Sequence, residues 1–124
     1  MVQEESYENA SGVEGRPVRR NCIDIQTVGF QQYPVVAVSP SGHRFVVAWE
    51  SDRGDGSDIE VIAEVFTLDG RSKEADFVVN SYTADFQEEP SLAATRDGFL
   101  VAWQSSPETG VGYEVWLRRY PLWP

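Results

Sequence analysis

Along this chain, short runs of Val, Ile, Phe, Tyr and Trp alternate with clusters of Gly, Pro, Ser and Asp. Such runs bounded by turn formers predict β-strands. They fall at Pro34–Val38, Phe45–Glu50, Ile59–Phe66 and Phe77–Tyr82. The turns between them fall at Ser39-Pro40-Ser41-Gly42, Asp52–Asp58 and Leu68-Asp69-Gly70-Arg71. No long segment carries a helical period, so the chain is expected to be all-β. The stretches Val35-Val36-Ala37-Val38 and Phe45-Val46-Val47-Ala48-Trp49 are unbroken apolar runs. A strand with one wet face alternates apolar and polar residues, so both runs are expected to be buried on both faces. The third strand alternates more, with Glu60, Ile62, Glu64 and Phe66 on one face and Ile59, Val61, Ala63 and Val65 on the other.

The pattern occurs twice. Gln31-Gln32-Tyr33-Pro34 returns as Gln87-Glu88-Glu89-Pro90, Gly42 as Gly98, and Phe45-Val46-Val47-Ala48-Trp49 as Phe99-Leu100-Val101-Ala102-Trp103. The offset is 56 residues before the first of these glycines and 54 after it, because the second repeat lacks counterparts of His43 and Arg44. Length changes of this kind are tolerated in turns. Thr27, Phe30, Ser51, Gly56, Glu60-Val61 and Phe66 likewise return as Thr83, Phe86, Ser105, Gly110, Glu114-Val115 and Tyr120. An internal repeat of this length predicts a stack of similar units. Repeat 1 covers about 31–86 and repeat 2 about 87–124, within a β domain spanning 21–124.

Two four-stranded antiparallel sheets resembling propeller blades account for strands buried on both faces, and a compact β-sandwich is the alternative. The phase of the repeat adds a second expectation. The segment 21–28 matches the fourth strand of repeat 1, and the chain ends just after a third-type strand, Tyr113–Tyr120. The last blade therefore lacks its fourth strand, which the segment 21–28 is expected to supply in a neighbouring molecule or in its own. Two blades leave apolar faces and edges open, which favours association. Three chains would give six blades and four would give eight. A trimer or tetramer is thus expected, or docking on a larger complex.

Composition narrows the partners. Acidic residues number 20 and basic residues 10, for a net charge of −10. Such a surface repels a phosphate backbone and anionic lipid, so neither nucleic acid nor membrane is an expected partner. Residues 1–20 are polar, lack the apolar stretch of a signal peptide and carry no core pattern, so they read as a flexible arm. Cys22 is the only cysteine, which excludes an intrachain disulfide.

The motifs Asn80-Ser81-Tyr82-Thr83, Gln87-Glu88-Glu89-Pro90 and Gly98-Phe99-Leu100-Val101-Ala102-Trp103, with the Gly/Asp/Ser-rich loop Asp52–Asp58, resemble a tandem repeat of large bacterial secreted and surface proteins. The resemblance covers about Ile23 to Tyr120. It implies a propeller-like fold, seldom with an assigned chemistry, and an extracellular or periplasmic location. The two-repeat layout is also similar to that of small propeller lectins whose short chains assemble into a ring. No cofactor is implied.

Candidate chemistry is sparse. His43 is the only histidine and lies in a turn, where a surface role is expected rather than a catalytic triad. Asp52, Asp55 and Asp58 could offer oxygens to a calcium ion, but Arg53 stands among them and the second repeat keeps almost none of the carboxylates, so a plain turn is the favoured reading. Glu88 and Glu89 read as solvated surface rather than a glycosidase pair. Trp49 and Trp103 recur at the same place and read as packing between sheets. Trp116 and Trp123 do not recur. Trp116 shares a strand face with Glu114, Arg118 and Tyr120. Together with Trp123 these residues form the expected binding surface, for a protein partner first and a glycan second. The chain is therefore expected to be a non-catalytic interaction module, with a multivalent lectin-like subunit as the alternative.

Overall fold

The computed structural model describes residues 29–52, 59–73, 75–81, 85–106, 111–121 and 123, together with the backbone of 3–8 and 16–22. The fold is all-β. Its strands are β1 (Gln3–Glu8), β2 (Arg16–Cys22), β3 (Gln31–Val38), β4 (Arg44–Ser51), β5 (Glu60–Thr67), β6 (Phe77–Val78), β7 (Phe86–Ala94), β8 (Phe99–Ser106) and β9 (Glu114–Tyr120). They form a two-stranded sheet β1-β2, a four-stranded sheet β3-β4-β5-β6 and a three-stranded sheet β7-β8-β9. Every neighbouring pair is antiparallel and consecutive in sequence. The two larger sheets coincide with the two repeats, and the second ends without a counterpart of β6 among the described residues.

The predicted strands appear within a few residues of their expected bounds, except that the fourth is only the two residues of β6. Val79 and Asn80 extend its reach, because Val79 N–H donates to the Val61 carbonyl (2.8 Å) and Val61 N–H donates to Asn80 Oδ1 (2.9 Å). The arm, expected to be featureless, contains the hairpin β1-β2. Its register sets Glu5 opposite Arg20 and Glu8 opposite Arg16. Of the segment 21–28, which was expected to form a fourth-type strand, 21 and 22 end β2 and 23–28 lie outside the described residues.

Strand β4 meets the expectation of burial on both faces. Val46 and Ala48 are buried on one side, and Val47 and Trp49 on the other. Strand β3 does not. Val35 and Ala37 pack into the core, but Val36 and Val38 are 62% and 51% exposed. The reason is position: β3 is the edge of its sheet, and only its inner face meets sheet β7-β8-β9.

One core lies between the two repeat sheets. Val46, Ala48, Val61, Ala63, Val65 and Val79 meet Phe99, Val101 and Trp103 there. Burying an apolar side chain of this size contributes ~2 kcal/mol, so this face dominates the energetics. Val47, Trp49, Ile62 and Phe66 form a second cluster on the far side of the first sheet. Phe99, Val101 and Trp103 are the repeat counterparts of Phe45, Val47 and Trp49. The two sheets therefore meet by non-equivalent faces, one repeat's inner side against the other repeat's outer side.

The two turn glycines that align in the repeat do different work. Gly42 has φ +77 in the turn closed by its N–H to the Ser39 carbonyl (2.8 Å), with open space around the position of a Cβ. At Gly98 a Cβ would lie 1.8 Å from the Tyr120 carbonyl oxygen, because the chain end passes directly over the turn and Trp123 N–H donates to the Asp97 carbonyl (2.9 Å). Gly42→Ala should cost ~1 kcal/mol through its left-handed backbone. Gly98→Ala should cost ~3 kcal/mol or more, since backbone cannot yield as a side chain does. Urea unfolding of the two variants checks the order, and equal losses would refute the close-approach role of Gly98.

Candidate interaction surface

The Gln-x-x-Pro motif acquires a physical meaning in the structure. Its third residue has a left-handed backbone in both repeats, with φ 53 at Tyr33 and φ 52 at Glu89. The strand register shifts at the same place, between Gln32 and Val35 and between Glu88 and Ser91. The motif is thus a β-bulge, where a proline can sit without depriving the ladder of a donor. Its first residue accepts the tryptophan indole N–H of the next strand. Trp49 Nε1 donates to Gln31 Oε1 (2.6 Å), and Trp103 Nε1 donates to Gln87 Oε1 (2.9 Å). Gln87 is fully buried, and its amide donates onward to Ser105 Oγ (3.1 Å).

The bulge also joins the two sheets. It turns the Glu89 N–H toward β4, where it donates to Glu50 Oε2 (2.6 Å), while Gln32 Nε2 donates to Glu50 Oε1 (3.0 Å). Gln87 N–H donates to the Ile59 carbonyl (2.8 Å), and Ile59 and Phe86 form a parallel bridge. Burial raises the Glu50 carboxyl above its ordinary value, and the charges of Glu88 and Glu89 add to the rise. The two hydrogen bonds oppose it without cancelling it.

The five residues expected to form a binding surface divide. Tyr120 is half-buried in the core, stacked on Phe99 with ring centroids 4.6 Å apart, and desolvation raises its phenol pKa. Trp123 packs against Phe99 at 5.2 Å and belongs to the same core. These two hold the chain end onto the second sheet. Arg118 reaches across to the first sheet, donating to the Val79 carbonyl (2.9 Å) and to Ser81 Oγ (2.7 Å). Glu114 stands exposed at the start of β9, opposite Ser105. Trp116 is 42% exposed and lines a cleft of about 200 Å³ with Ser81, Gln87, Trp103, Leu117 and Arg118.

The far face of the second sheet is the open one. Val115 and Leu117, the next residues along β9, are 83% and 64% exposed, and Val111 and Tyr113 before them are also exposed. Sequence reasoning placed the surface on the Trp116 face of β9 and passed over the alternate face. The missed signal was the repeat itself, since Val115 and Leu117 align with the fully buried Val61 and Ala63.

Among the calcium candidates, Asp52 Oδ1 accepts the Phe30 N–H (3.1 Å), whereas Asp55 and Asp58 lie outside the described residues. Among the described residues no group of His, Cys, Asp and Glu is arranged to hold a metal ion, and no helix is long and apolar enough to cross a membrane. His43 is exposed in its turn.

Two measurements test this account. Gln87→Ala strands the buried Trp103 indole N–H and opens a void, which should cost ~2–4 kcal/mol by urea unfolding, against ~1–2 kcal/mol for Gln31→Ala, which removes a half-buried side chain and so leaves a smaller void. Glu50 makes the second test. Between 4.5 and its raised value the folded chain keeps a proton on Glu50 that the unfolded chain releases, so the stability tied to this group falls as pH rises from 4.5 through the raised value. In Glu50→Gln the amide oxygen can accept from Glu89 and the amide nitrogen can donate to a turned-over Gln32. This variant should melt higher than the parent at neutral pH and lose that advantage as pH falls below 4.5. An equal difference at all pH values would assign Glu50 no titrating role.

Comparison with family models, curated proteins and solved structures finds no match to this chain, so its function must be argued from this geometry.

Proposed function

We propose that this chain is a non-catalytic interaction module, a propeller-type subunit that assembles with itself or docks on a larger protein complex. The observation that carries the reading is the open outer face of the second sheet. Its β9 has no β6-type partner among the described residues, and it carries Val115 and Leu117 in water. An open edge beside exposed apolar side chains is costly for a free subunit and is relieved by protein association. The packing of the two repeats by non-equivalent faces favours stacked blades over a sandwich, whose sheets turn equivalent faces inward. We read the described groups with shifted pKa values as structural rather than catalytic. Glu50 is enclosed between sheets, Tyr120 is in the core, and Asp69 is held low by the Thr67 hydroxyl in a surface turn.

A second reading, a lectin-like subunit, rests on the cleft beside Trp116. An exposed indole with polar neighbours suits a sugar ring. Two of the neighbouring groups are already committed, however: Arg118 to Val79 and Ser81, and Gln87 to Trp103 and Ser105. Glycan recognition therefore ranks second.

Native mass spectrometry of the purified chain separates the readings when paired with a glycan array. The first predicts species of several chains, three or four being the counts that make six or eight blades, and no glycan signal. The second predicts glycan binding that Trp116→Ala abolishes without changing the oligomer. A chain that stays monomeric at micromolar concentration and engages no protein partner would refute the first.

A further inference from the structure

The contact between the two repeat sheets is directional, and the repeat provides the means to extend it. On the first sheet it uses Val46, Ala48, Val61 and Ala63, all fully buried, with the Glu50 carboxyl group and the Ile59 carbonyl as polar anchors. On the second sheet it uses β7, the strand that lies against β3, β4 and β5. Both halves of this contact have a counterpart elsewhere in the chain.

The counterparts of Val46, Ala48, Val61 and Ala63 are Leu100, Ala102, Val115 and Leu117, which share the outer face of the second sheet. Leu100 and Ala102 are half-buried, and Val115 and Leu117 are exposed. Gln104 stands where Glu50 stands, and exposed Tyr113 where Ile59 does. The counterpart of β7 is β3, whose outer residues Tyr33, Val36 and Val38 are all exposed. Tyr33 shares the left-handed bulge geometry that aims the Glu89 N–H at Glu50. A buried face has thus been repeated as an open one, and its mate has been repeated as an open edge strand.

We infer that the outer face of sheet β7-β8-β9 is an interface for a second molecule of this chain, which lays its β3 against it in the same head-to-tail manner as β7 lies on the first sheet. The contact rests on the self-association reading above and specifies its geometry. Val36 and Val38 of the second molecule cover Leu117 and Ala102, and the Tyr33 N–H meets the Gln104 side-chain oxygen. A contact of this kind is heterologous, since each molecule uses a different surface at each end.

Heterologous contacts have a signature that a two-fold dimer lacks. Val115→Glu with Leu117→Lys spoils one surface, and Val36→Lys with Val38→Glu spoils the other. All four side chains are more than half exposed, so each variant should keep the fold, read as a parent-like far-ultraviolet circular dichroism spectrum, while losing only the stabilisation that association adds. In sedimentation velocity the parent should run as an oligomer and each double variant as a monomer. An equimolar mixture of the two variants should give one heterodimer, because each brings the intact surface the other has lost. A parent oligomer that survives either double variant, or a mixture that stays monomeric, overturns this interface and leaves self-association through another surface standing. A monomeric parent overturns both.

Discussion

A buried indole N–H is costly without an acceptor, and in this chain the acceptors of Trp49 and Trp103 organise each repeat. The tryptophan that closes the second strand of a sheet has its ring in an apolar cluster, where an unpaired donor would cost ~1–3 kcal/mol. The acceptor is the glutamine that opens the first strand, at 2.6 Å in one repeat and 2.9 Å in the other. Holding that glutamine under the indole obliges the strand to take up an extra residue, which it does as a bulge with a left-handed third residue and a proline after it. The bulge then exposes a backbone N–H to the neighbouring sheet, and in the one internal contact that donor meets Glu50. One hydrogen bond inside a sheet is in this way linked to how sheets meet.

The architecture was legible because it is written in apolar runs and in their recurrence. Strands β3, β4, β5, β7, β8 and β9 fall where the runs fall, and the break between sheets falls where the repeat restarts. What was not legible depended on contacts that a linear pattern does not encode. The run Val35-Val36-Ala37-Val38 looks the same whether its strand is central or at an edge, and only the sheet order decides that Val36 and Val38 remain in water. The hairpin β1-β2 lies in a polar stretch without hydrophobic alternation, so a search for that alternation passes over it. Gly98 aligns with a turn glycine, but its constraint comes from a chain end more than twenty residues away.

The candidate site was half legible for a related reason. Trp116, Arg118, Tyr120, Glu114 and Trp123 were grouped by type and by shared strand face. Type alone does not say which face of a sheet is already occupied. Tyr120 and Trp123 meet Phe99, and Arg118 meets the carbonyl of Val79, because that face of β9 turns toward the first sheet. Comparing the two repeats residue by residue is more informative than inspecting either one. Val61 against Val115 and Ala63 against Leu117 pair a fully buried residue with an exposed one at the same position in the same motif.

That comparison also bears on why the open sheet can exist in water at all. An unpaired edge invites indiscriminate strand addition, and charge on the edge strand is the usual restraint. Strand β9 reads Glu-Val-Trp-Leu-Arg-Arg-Tyr, so its apolar centre is flanked by one acidic and two basic residues where β5 has Glu60, Glu64, a terminal Thr67 and no basic residue. Arg118 is tied to the first sheet, whereas Arg119 stands exposed on the outer face beside Leu117. A partner must therefore accommodate a cation at one end of the Val115–Leu117 row. In the proposed contact the incoming β3 reads Gln-Gln-Tyr-Pro-Val-Val-Ala-Val and brings no cation to oppose it. In the proposed assembly, charge on this edge then restrains indiscriminate strand addition without barring that strand.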